Sequence, residues 1–385
     1  MAFSPLPDGS ENVFPESNKM KVSISTTDNE RSQDILSSPV VSDFEQHIRD
    51  GVSSDNLGSV TAALVLGNNV IWSKSFGYAN ISLKSLANPE SIYRVGSITK
   101  TFTAVALIQL AESGILNLDD PVEDSLPEVS GLIGYKKYEP ITFRKLASHT
   151  AGLIKEPELE YAASGPIGNW ESRIIESISA TRFQSKPGTE FSYSNIGFGI
   201  LGLAISRAAN CPFMELVNEN IFKPLEMKSS GFILTEEMTK HLADGYVIDK
   251  SGSANPEFPA LEHKGRGYKV PNGGIYSNVG DLGKFIAMLT GCSPAQILSP
   301  ENRTEMQKIQ TPETGESGYG LGVRILSDEK SNIIGHGGSV AGYNAAMSIC
   351  PASRAGVILL RNYTRSALNL KQVANEFLQD LVHRF

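Results

Sequence analysis

The sequence predicts an α+β fold, an α/β sandwich joined to an all-α part, in which both ends of the chain contribute strands to one antiparallel sheet flanked by helices. Apolar runs typical of strands occur early and late, and helical periodicity dominates the region between them, so the middle is predicted to be a helical insertion. The last segment is amphipathic and is predicted to be a helix. The predicted strands are 59–66, 70–76, 320–325, 333–336, 343–350 and 356–361.

Taken in order, residues 1–42 are rich in Ser, Asp, Asn, Glu and Pro, and we interpret them as a polar N-terminal arm that cannot fold alone. An amphipathic helix is predicted to begin at Asp43, and the first two strands are joined as a hairpin by residues 67–69. Further helices are predicted at 101–112, 170–178, 195–209, 212–222 and 368–385, and from the cap Ser299 followed by Pro300. The domain prediction is an α/β domain of 43–115 and 261–385 and a mainly helical domain of 116–260, with an active site at their junction.

The composition of the chain argues against several classes of partner. The 385 residues carry a formal net charge of −8 without a basic stripe, which argues against nucleic acid as a partner. The three cysteines are widely separated and no metal-binding motif occurs, so neither a metal nor another cofactor is predicted. The N-terminus lacks a basic segment followed by an apolar one, and no apolar run approaches membrane length. We therefore expect a cytoplasmic protein with a small-molecule substrate and no membrane partner; the oligomeric state stays open.

The run Ser97-Ile98-Thr99-Lys100 places a hydroxyl and an amine three residues apart at the head of an apolar helix. Residues at this spacing share one helix face, so the amine can act as the base for a serine nucleophile. Burial and the positive end of the helix dipole would both favour the neutral amine. The alternative is that Ser97 caps the helix and Lys100 is a solvated residue of its first turn.

Two further motifs carry polar groups suited to a cleft. Tyr193-Ser194-Asn195 opens a predicted helix: the tyrosine, held partly as phenolate near a lysine, could move protons, and the asparagine could orient a substrate carbonyl. The alternative is that Asn195 caps the helix and Tyr193 packs on its flank. His336-Gly337-Gly338-Ser339 ends a predicted strand, and its glycines would let a main-chain N–H approach a reacting oxygen. The alternative there is a tight turn with a surface histidine.

Together these motifs, in this order, resemble the S-x-x-K, Y-x-N and [KH]-[TG]-G signatures of the penicillin-recognising serine hydrolases, in their class C β-lactamase-like branch. The resemblance runs from about residue 43 to 385 and implies a β-lactamase/transpeptidase-like fold. Other segments share it, namely 93–96, 118–121, 141–153, 273–277 with 281–282, and 318–322.

The resemblance implies a role for each motif residue. Ser97 is the acylated nucleophile, Lys100 and Tyr193 are the proton-transfer pair, and Asn195 orients the substrate. The backbone N–H groups of Ser97 and Ser339 form the oxyanion hole, so His336, Gly337, Gly338 and Ser339 are predicted to bind substrate with Asn195. His149, within the segment 146–153, is implied to be a structural turn residue and not part of a catalytic triad.

One departure narrows the function. Relatives that act on penicillins usually have lysine where this chain has His336, and a largely neutral histidine weakens the preference for an anionic substrate. The H-G-G pattern is shared with class C-like esterases, D-amino-acid amidases and lovastatin-type acyltransferases. We therefore predict a serine hydrolase or esterase that acts through an acyl-enzyme on an ester, lactone, thioester or amide in secondary metabolism. The alternative is an acyltransferase that moves the acyl group to an alcohol; a β-lactamase and a non-catalytic acyl-trapping protein rank behind both.

Overall fold

The computed structural model describes residues 26–311 and 317–385. Its helices are α1 Thr26–Ser37, α2 Pro39–Asp55, α3 Thr99–Glu112, α4 Phe143–Ala147, α5 Trp170–Ile178, α6 Asn195–Ala208, α7 Phe213–Val217, α8 Glu236–Lys240, α9 Glu257–Glu262, α10 Val270–Gly273, α11 Val279–Leu289, α12 Pro300–Met306 and α13 Leu370–Arg384. Its strands are β1 Ser59–Leu66, β2 Asn69–Asn80, β3 Ser85–Leu86, β4 Tyr93–Arg94, β5 Val247–Ile248, β6 Ala254–Asn255, β7 Tyr276–Ser277, β8 Ser317–Tyr319, β9 Arg324–Ser327, β10 Asn332–Val340, β11 Tyr343–Cys350 and β12 Ala355–Arg361.

Strands from both ends of the chain meet in one sheet. Within the described residues this sheet has eight strands in the order β3-β2-β1-β12-β11-β10-β9-β8. β1 pairs with β12 in antiparallel register, with Val60 opposite Arg361, so an early strand and the last strand lie side by side at its centre. All residues of β1 are buried, which explains why its sequence is a continuous apolar run without alternation. The α+β prediction is confirmed; the domain boundaries stay a prediction.

Helices cover both faces of the sheet and enclose two apolar cores. On the outer face, α2 and α13 pack around Phe44 and Phe377. On the inner face, α3, α6 and α11 form the larger core, which includes Phe102 and Phe285. The side chains of α3 from Thr99 to Leu110 are buried, as its apolar sequence predicts for a central helix. The inner face therefore holds the head of α3 in a rigid setting.

The prediction of a polar arm over residues 1–42 did not include the helices that residues 26–42 form. The arm's first 25 residues lie outside the described part of the chain, but the rest forms α1 and the start of α2, which begins before the predicted Asp43. Ile35, Val40 and Val41 are buried in the outer core. These few apolar side chains suffice because they dock on a sheet face that the rest of the chain builds, and composition cannot reveal that.

The strand predicted at 320–325 is wrong over its first half. Residues between β8 and β9 form a turn in which the Gly320 N–H donates to the Val323 oxygen at 2.9 Å and Gly322 has φ +68°. The left-handed glycine reverses the chain there, so β8, which precedes the predicted run, pairs with β9, and only residues 324–325 of the run lie in a strand. The final turn of the helix predicted at 212–222 also differs, because α7 ends at Val217 and continues as a π-helical turn, Asn218–Phe222.

Across the described ranges, no single helix is long and apolar enough to cross a membrane. Only α6 and the segment Phe213–Phe222 taken together have the length and apolar composition of a membrane span, and the chain bends by 83° between them.

Candidate active site

The turn that carries Ser97 depends on glycine. Gly96–Ile98 form a 3-10 turn directly before α3, and Gly96 has φ +54°. A Cβ on Gly96 would lie 2.8 Å from the Ser339 nitrogen, and a Cβ on Gly338 would lie 1.9 Å from the Val95 oxygen. Because neither approach is possible with a side chain, both glycines are required for β10 to lie against the turn. This close contact joins the first and third sequence motifs.

Lys100 is fully buried beneath Ser97, so the solvated-lysine alternative is wrong. Its Nζ lies 3.1 Å from Ser97 Oγ, 2.8 Å from Asn195 Oδ1 and 3.1 Å from the Asn272 carbonyl oxygen. Burial holds the pKa of the Lys100 amine well below its usual range, and the positive charge of Arg266 lowers that pKa further. A neutral amine has two hydrogens and one lone pair, so it can donate to the two carbonyl oxygens and accept from the Ser97 hydroxyl.

Tyr193 stands on the other side of Ser97. Its ring centroid is 5.0 Å from Lys100 Nζ. Burial raises the pKa of the Tyr193 phenol, although a hydrogen bond with Ser97 opposes that rise. The neutral phenol is therefore the resting form, and the partial phenolate expected from the sequence is not favoured. Tyr193 can give a proton more readily than it can take one.

Asn195 is available to the site because Ser194 caps the helix in its place. Ser194 Oγ accepts from the Gly197 N–H at 2.9 Å, which closes the first turn of α6. The Asn195 side chain then lies between two site residues: Oδ1 accepts from Lys100, and Nδ2 donates to Glu156 Oε1 at 2.6 Å. The alternative in which Asn195 is the helix cap is wrong, and its carboxamide orientation is set by both neighbours.

The backbone of β10 presents main-chain donors beside the nucleophile. β10 pairs with β9 only from Asn332 to Gly335, and within the described residues no strand pairs with His336–Val340 on that side. A Cβ on Gly338 would lie 3.3 Å from the Ser97 nitrogen and one on Gly96 2.8 Å from the Ser339 nitrogen, so the two peptide nitrogens belong to backbone segments in close contact. Two N–H groups beside a nucleophilic oxygen are what an oxyanion hole requires.

His336 lies in the protein interior, at 4% exposure, so the surface-histidine alternative is wrong. Its Nδ1–H donates to the Gly337 oxygen at 2.7 Å, which leaves Nε2 to accept from the Tyr319 hydroxyl at 3.0 Å. Burial holds the pKa of His336 well below its usual value, so the ring is neutral. With both nitrogens engaged, the lining of the cleft comes from Gly337, Gly338 and Ser339 and not from the His336 ring.

His149 supports the segment that carries Tyr193. Its Nδ1 accepts from the Ser194 N–H at 3.1 Å, and its carbonyl oxygen accepts from the Ser192 N–H at 2.7 Å. Its ring centroid is 4.2 Å from that of Tyr193. His149 is buried with φ +60°, as befits a turn residue, and it has no contact with Ser97 that would make it a triad base.

Three groups at the site were not singled out from the sequence. Glu156 accepts from Asn195 and forms an ion pair with Lys269 at 3.1 Å. The Asn272 backbone oxygen accepts a hydrogen bond from Lys100, and Arg266 donates to the backbone oxygen of the next residue, Gly273. A backbone carbonyl has no residue-type signature, and Glu156 lies in a loop without periodicity, so no local pattern could have revealed them.

A cleft of about 540 Å³ opens above Ser97. Its lining includes Tyr193, Asn195 and three cationic side chains, those of Lys155, Arg361 and Lys371. Arg361 is engaged inside the protein, where its Nη2 donates to Asn344 Oδ1 at 2.6 Å. The cleft is therefore electropositive in a protein whose net charge is negative.

A second pocket, of about 210 Å³, adjoins this cleft and shares Gly337 and Lys371 with it. Arg324 lines this pocket, with Cζ 5.6 Å from the Tyr193 ring centroid. Within the part of the chain that the structure describes, neither Arg324 nor Lys371 has an acidic partner; burial, and after it the charge of Arg324, lowers the pKa of Lys371. Arg324 and Lys371 therefore line the same pocket, and no carboxylate of the described residues neutralises either charge.

No group of three or more His, Cys, Asp or Glu side chains is placed to hold a metal ion in residues 26–311 and 317–385. The three cysteines are free thiols. The absence of a cofactor stays a prediction from the sequence.

Comparisons with known proteins identify a family and several solved structures that share this architecture. The Beta-lactamase family model matches residues 44–377. Beta-lactamase-like protein 4 of Dictyostelium discoideum is 30% identical over 300 residues, which are 72% of this chain and 52% of that protein. The octameric penicillin-binding protein homologue from Pyrococcus abyssi superposes with a TM-score of 0.75 at 29% identity, covering 89% of this chain and 77% of that chain. A D-stereospecific amidohydrolase from Streptomyces sp. shares the fold, with a TM-score of 0.69 at 24% identity over 86% of this chain and 96% of that chain.

The antiparallel sheet with helices on both faces, and the buried lysine beneath a serine at the head of the central helix, define a protein of the β-lactamase and penicillin-binding-protein fold class. The chain belongs to the beta-lactamase family. It spans about half the length of the Dictyostelium relative.

Proposed function

We propose that the protein is a serine hydrolase that acts through a covalent acyl-enzyme on Ser97. The observation that carries this proposal is the buried Lys100 amine, 3.1 Å from Ser97 Oγ. Because burial disfavours its ammonium form, Lys100 is a base before any substrate arrives. Two carbonyl oxygens hold the amine in place, so the geometry requires no rearrangement to begin the reaction.

The proposed reaction has two halves. Ser97 Oγ attacks the substrate carbonyl carbon and passes its proton to Lys100, while the N–H groups of Ser97 and Ser339 stabilise the oxyanion. When the tetrahedral intermediate collapses, the bond to the leaving group breaks. Tyr193 donates its proton to the leaving group and receives in turn the proton that Lys100 took from Ser97. Water then attacks the acyl carbon and passes a proton to Lys100; the bond between that carbon and Ser97 Oγ breaks, and Lys100 returns the proton to the Ser97 oxygen.

The cations at the cleft favour a substrate that carries a negative charge. His336 is neutral, as the sequence predicted, but Arg324 and Lys371 supply positive charge on the other side of β10. A carboxylate on the acyl or leaving group would find there two cations that no carboxylate of the described residues neutralises. We therefore propose a small-molecule ester, lactone, thioester or amide with a carboxylate or comparable anionic group.

Acyl transfer to an alcohol is the second candidate. The cleft of about 540 Å³ continues from Ser97 along β10 to Lys371, which leaves room for an acceptor beside the acyl group. The assignment to the esterase or acyltransferase branch, a role in secondary metabolism and the cytoplasmic location stay predictions from the sequence.

The proposal is tested with a fluorophosphonate probe and intact-protein mass spectrometry. We expect one adduct on the wild type and none on Ser97→Ala, and equal labelling of both would refute the nucleophile. Turnover of p-nitrophenyl butyrate, with and without added alcohols, then separates hydrolysis from acyl transfer by the products. A butyryl adduct that forms once and persists would instead indicate acyl trapping, and turnover confined to β-lactams would indicate a β-lactamase.

A further inference from the structure

A buried arginine approaches the segment that holds Lys100. Arg266 is 7% exposed, and its Nη1 donates to the Gly273 oxygen at 2.6 Å. A Cβ on Gly273 would lie 2.6 Å from the same Nη1, so the glycine makes room for the guanidinium. The preceding carbonyl, that of Asn272, accepts from Lys100 Nζ at 3.1 Å. Consecutive carbonyl groups thus bind Arg266 and Lys100.

Arg266 and Arg94 bind the same carboxylate, that of Glu262. Arg94 lies directly before the turn that carries Ser97. Glu262 Oε2 accepts from Arg266 Nε at 3.0 Å and from Arg94 Nη1 at 2.8 Å. Arg94 lies on β4, and the next residue along, Val95, donates its N–H to the Ile275 oxygen at 3.0 Å. Glu262 therefore connects the chain that delivers Ser97 to the chain that holds Lys100.

The cluster holds more positive than negative charge. Two arginines face one glutamate, and Arg94 Nε is buried without a hydrogen-bond partner among the described residues. The neighbouring rings stay neutral near neutral pH, since burial lowers the pKa of His263 to about 4 and raises that of Tyr276. The excess charge is thus constant near neutral pH, because burial lowers the pKa of Arg266 only to about 10. Charged or titratable groups around Arg266 or Lys100 are Arg94, Glu262, His263, Tyr276, Glu156, Lys155, Lys269, Tyr193, His149 and His336.

We propose that Arg266 is a positioning residue of the Ser97 site: its guanidinium fixes the peptide that holds Lys100, and its charge keeps that amine in the base form. The inference rests on the proposed function, because it assigns a cause to the reactivity of the same lysine. After burial itself, the charge of Arg266 is the largest influence that lowers the pKa of Lys100, ahead of Lys269 and Lys155. Arg266 acts through Lys100 and does not contact the substrate.

The test compares Arg266→Gln, which keeps a donor for the Gly273 oxygen but removes the charge, with Arg266→Lys, which keeps the charge. The rate of fluorophosphonate labelling of Ser97 is measured from pH 5 to pH 10 on the full chain. Without the positive charge the Lys100 ammonium is easier to form, so the acid limb moves to higher pH. If the pKa of Lys100 rises by one unit, labelling of Arg266→Gln is about fivefold slower at the midpoint pH of the wild-type acid limb and about tenfold slower well below that pH. The labelling rate recovers at high pH. Arg266→Lys keeps the wild-type limb.

A purely structural role gives a different result, because it lowers the labelling rate by one factor at every pH and leaves the limb in place. That outcome in a folded Arg266→Gln, checked by thermal unfolding, overturns the proposal. Glu262→Gln provides a second test if Arg266→Gln does not fold: loss of the negative charge moves the limb to lower pH, and an unmoved limb there overturns the proposal as well. If the wild type itself is not labelled, the proposed function fails; if it is labelled and only the shifts are missing, the inference about Arg266 fails alone.

Discussion

Lys100 is a base because of its surroundings and not because of its residue type. Its amine is enclosed by Ser97, Asn195 and the Asn272 carbonyl, and no carboxylate of residues 26–311 or 317–385 contacts it directly. We expect Lys100→Ala to lower the turnover of p-nitrophenyl butyrate by about a hundredfold or more, the usual contribution of a positioned general base. Lys240→Ala, which removes a surface lysine, is the control. Unchanged turnover in Lys100→Ala would contradict the assignment.

The pH dependence of acylation follows from the same burial. The folded pKa of Lys100 lies well below the ordinary lysine value, and only the amine accepts the Ser97 proton. Activity is therefore present above that lowered pKa and is lost as the pH falls through it. We expect kcat/KM for a neutral ester to show an acid limb and to reach its plateau before the pH range in which free lysines titrate. A plateau reached only within that range would show that Lys100 is an ordinary ammonium group.

Arg324 offers a test of substrate charge. Its guanidinium lies near Tyr193 and Lys371 without an acidic partner in the described ranges. Arg324→Gln should raise KM for a p-nitrophenyl ester with a terminal carboxylate by about tenfold, since one charge-assisted hydrogen bond contributes about that much, and should change KM for p-nitrophenyl butyrate far less. Arg384→Gln, at the exposed end of α13, is the matched control. Equal effects on both esters would remove the case for an anionic substrate.

At the scale of elements, the site depends on how closely β10 approaches the turn before α3. An alanine at Gly338 would place its Cβ 1.9 Å from the Val95 oxygen, whereas at Gly337 the nearest atom lies at 3.7 Å, an ordinary contact. We expect Gly338→Ala to slow labelling of Ser97 by about a hundredfold or more, the effect of losing an oxyanion-hole donor, and Gly337→Ala to slow it by less than about tenfold. Similar losses in both variants would mean that the backbone approach is not the cause.

The elements also show what a single sequence can predict. β1, α5 and the residues of α6 were predicted nearly to their ends because their apolar periodicity is strong and local. The turn between β8 and β9 was missed because Gly322 adopts a left-handed conformation that periodicity does not report. The motif residues could be found because their side chains act, whereas Asn272 acts through its backbone oxygen and Arg266 through a contact set by the fold.

At the scale of the whole molecule, the sheet separates two cores with different tasks. Phe377 on α13 stacks on Phe44 in the outer core, with ring centroids 3.9 Å apart. Phe102 on α3 stacks on Phe285 in the inner core at 3.7 Å, one turn of helix or less from Lys100. The outer core holds helices against the sheet, and the inner core holds the helix that bears the base. Loss of packing should therefore have different consequences on the two faces.

We expect Phe377→Ala and Phe102→Ala each to lower the free energy of unfolding by about 3–5 kcal/mol, the usual cost of removing a buried phenylalanine. Turnover normalised to the number of fluorophosphonate-labelled sites should stay near the wild-type value in Phe377→Ala, because the sheet lies between that cavity and Ser97. In Phe102→Ala the cavity lies beside the helix that carries Lys100, and a small displacement of the amine should reduce normalised turnover by about tenfold or more. Urea denaturation and site titration measure the two quantities separately, and equal losses of normalised turnover in both variants would show that the sheet does not isolate the site from the outer core.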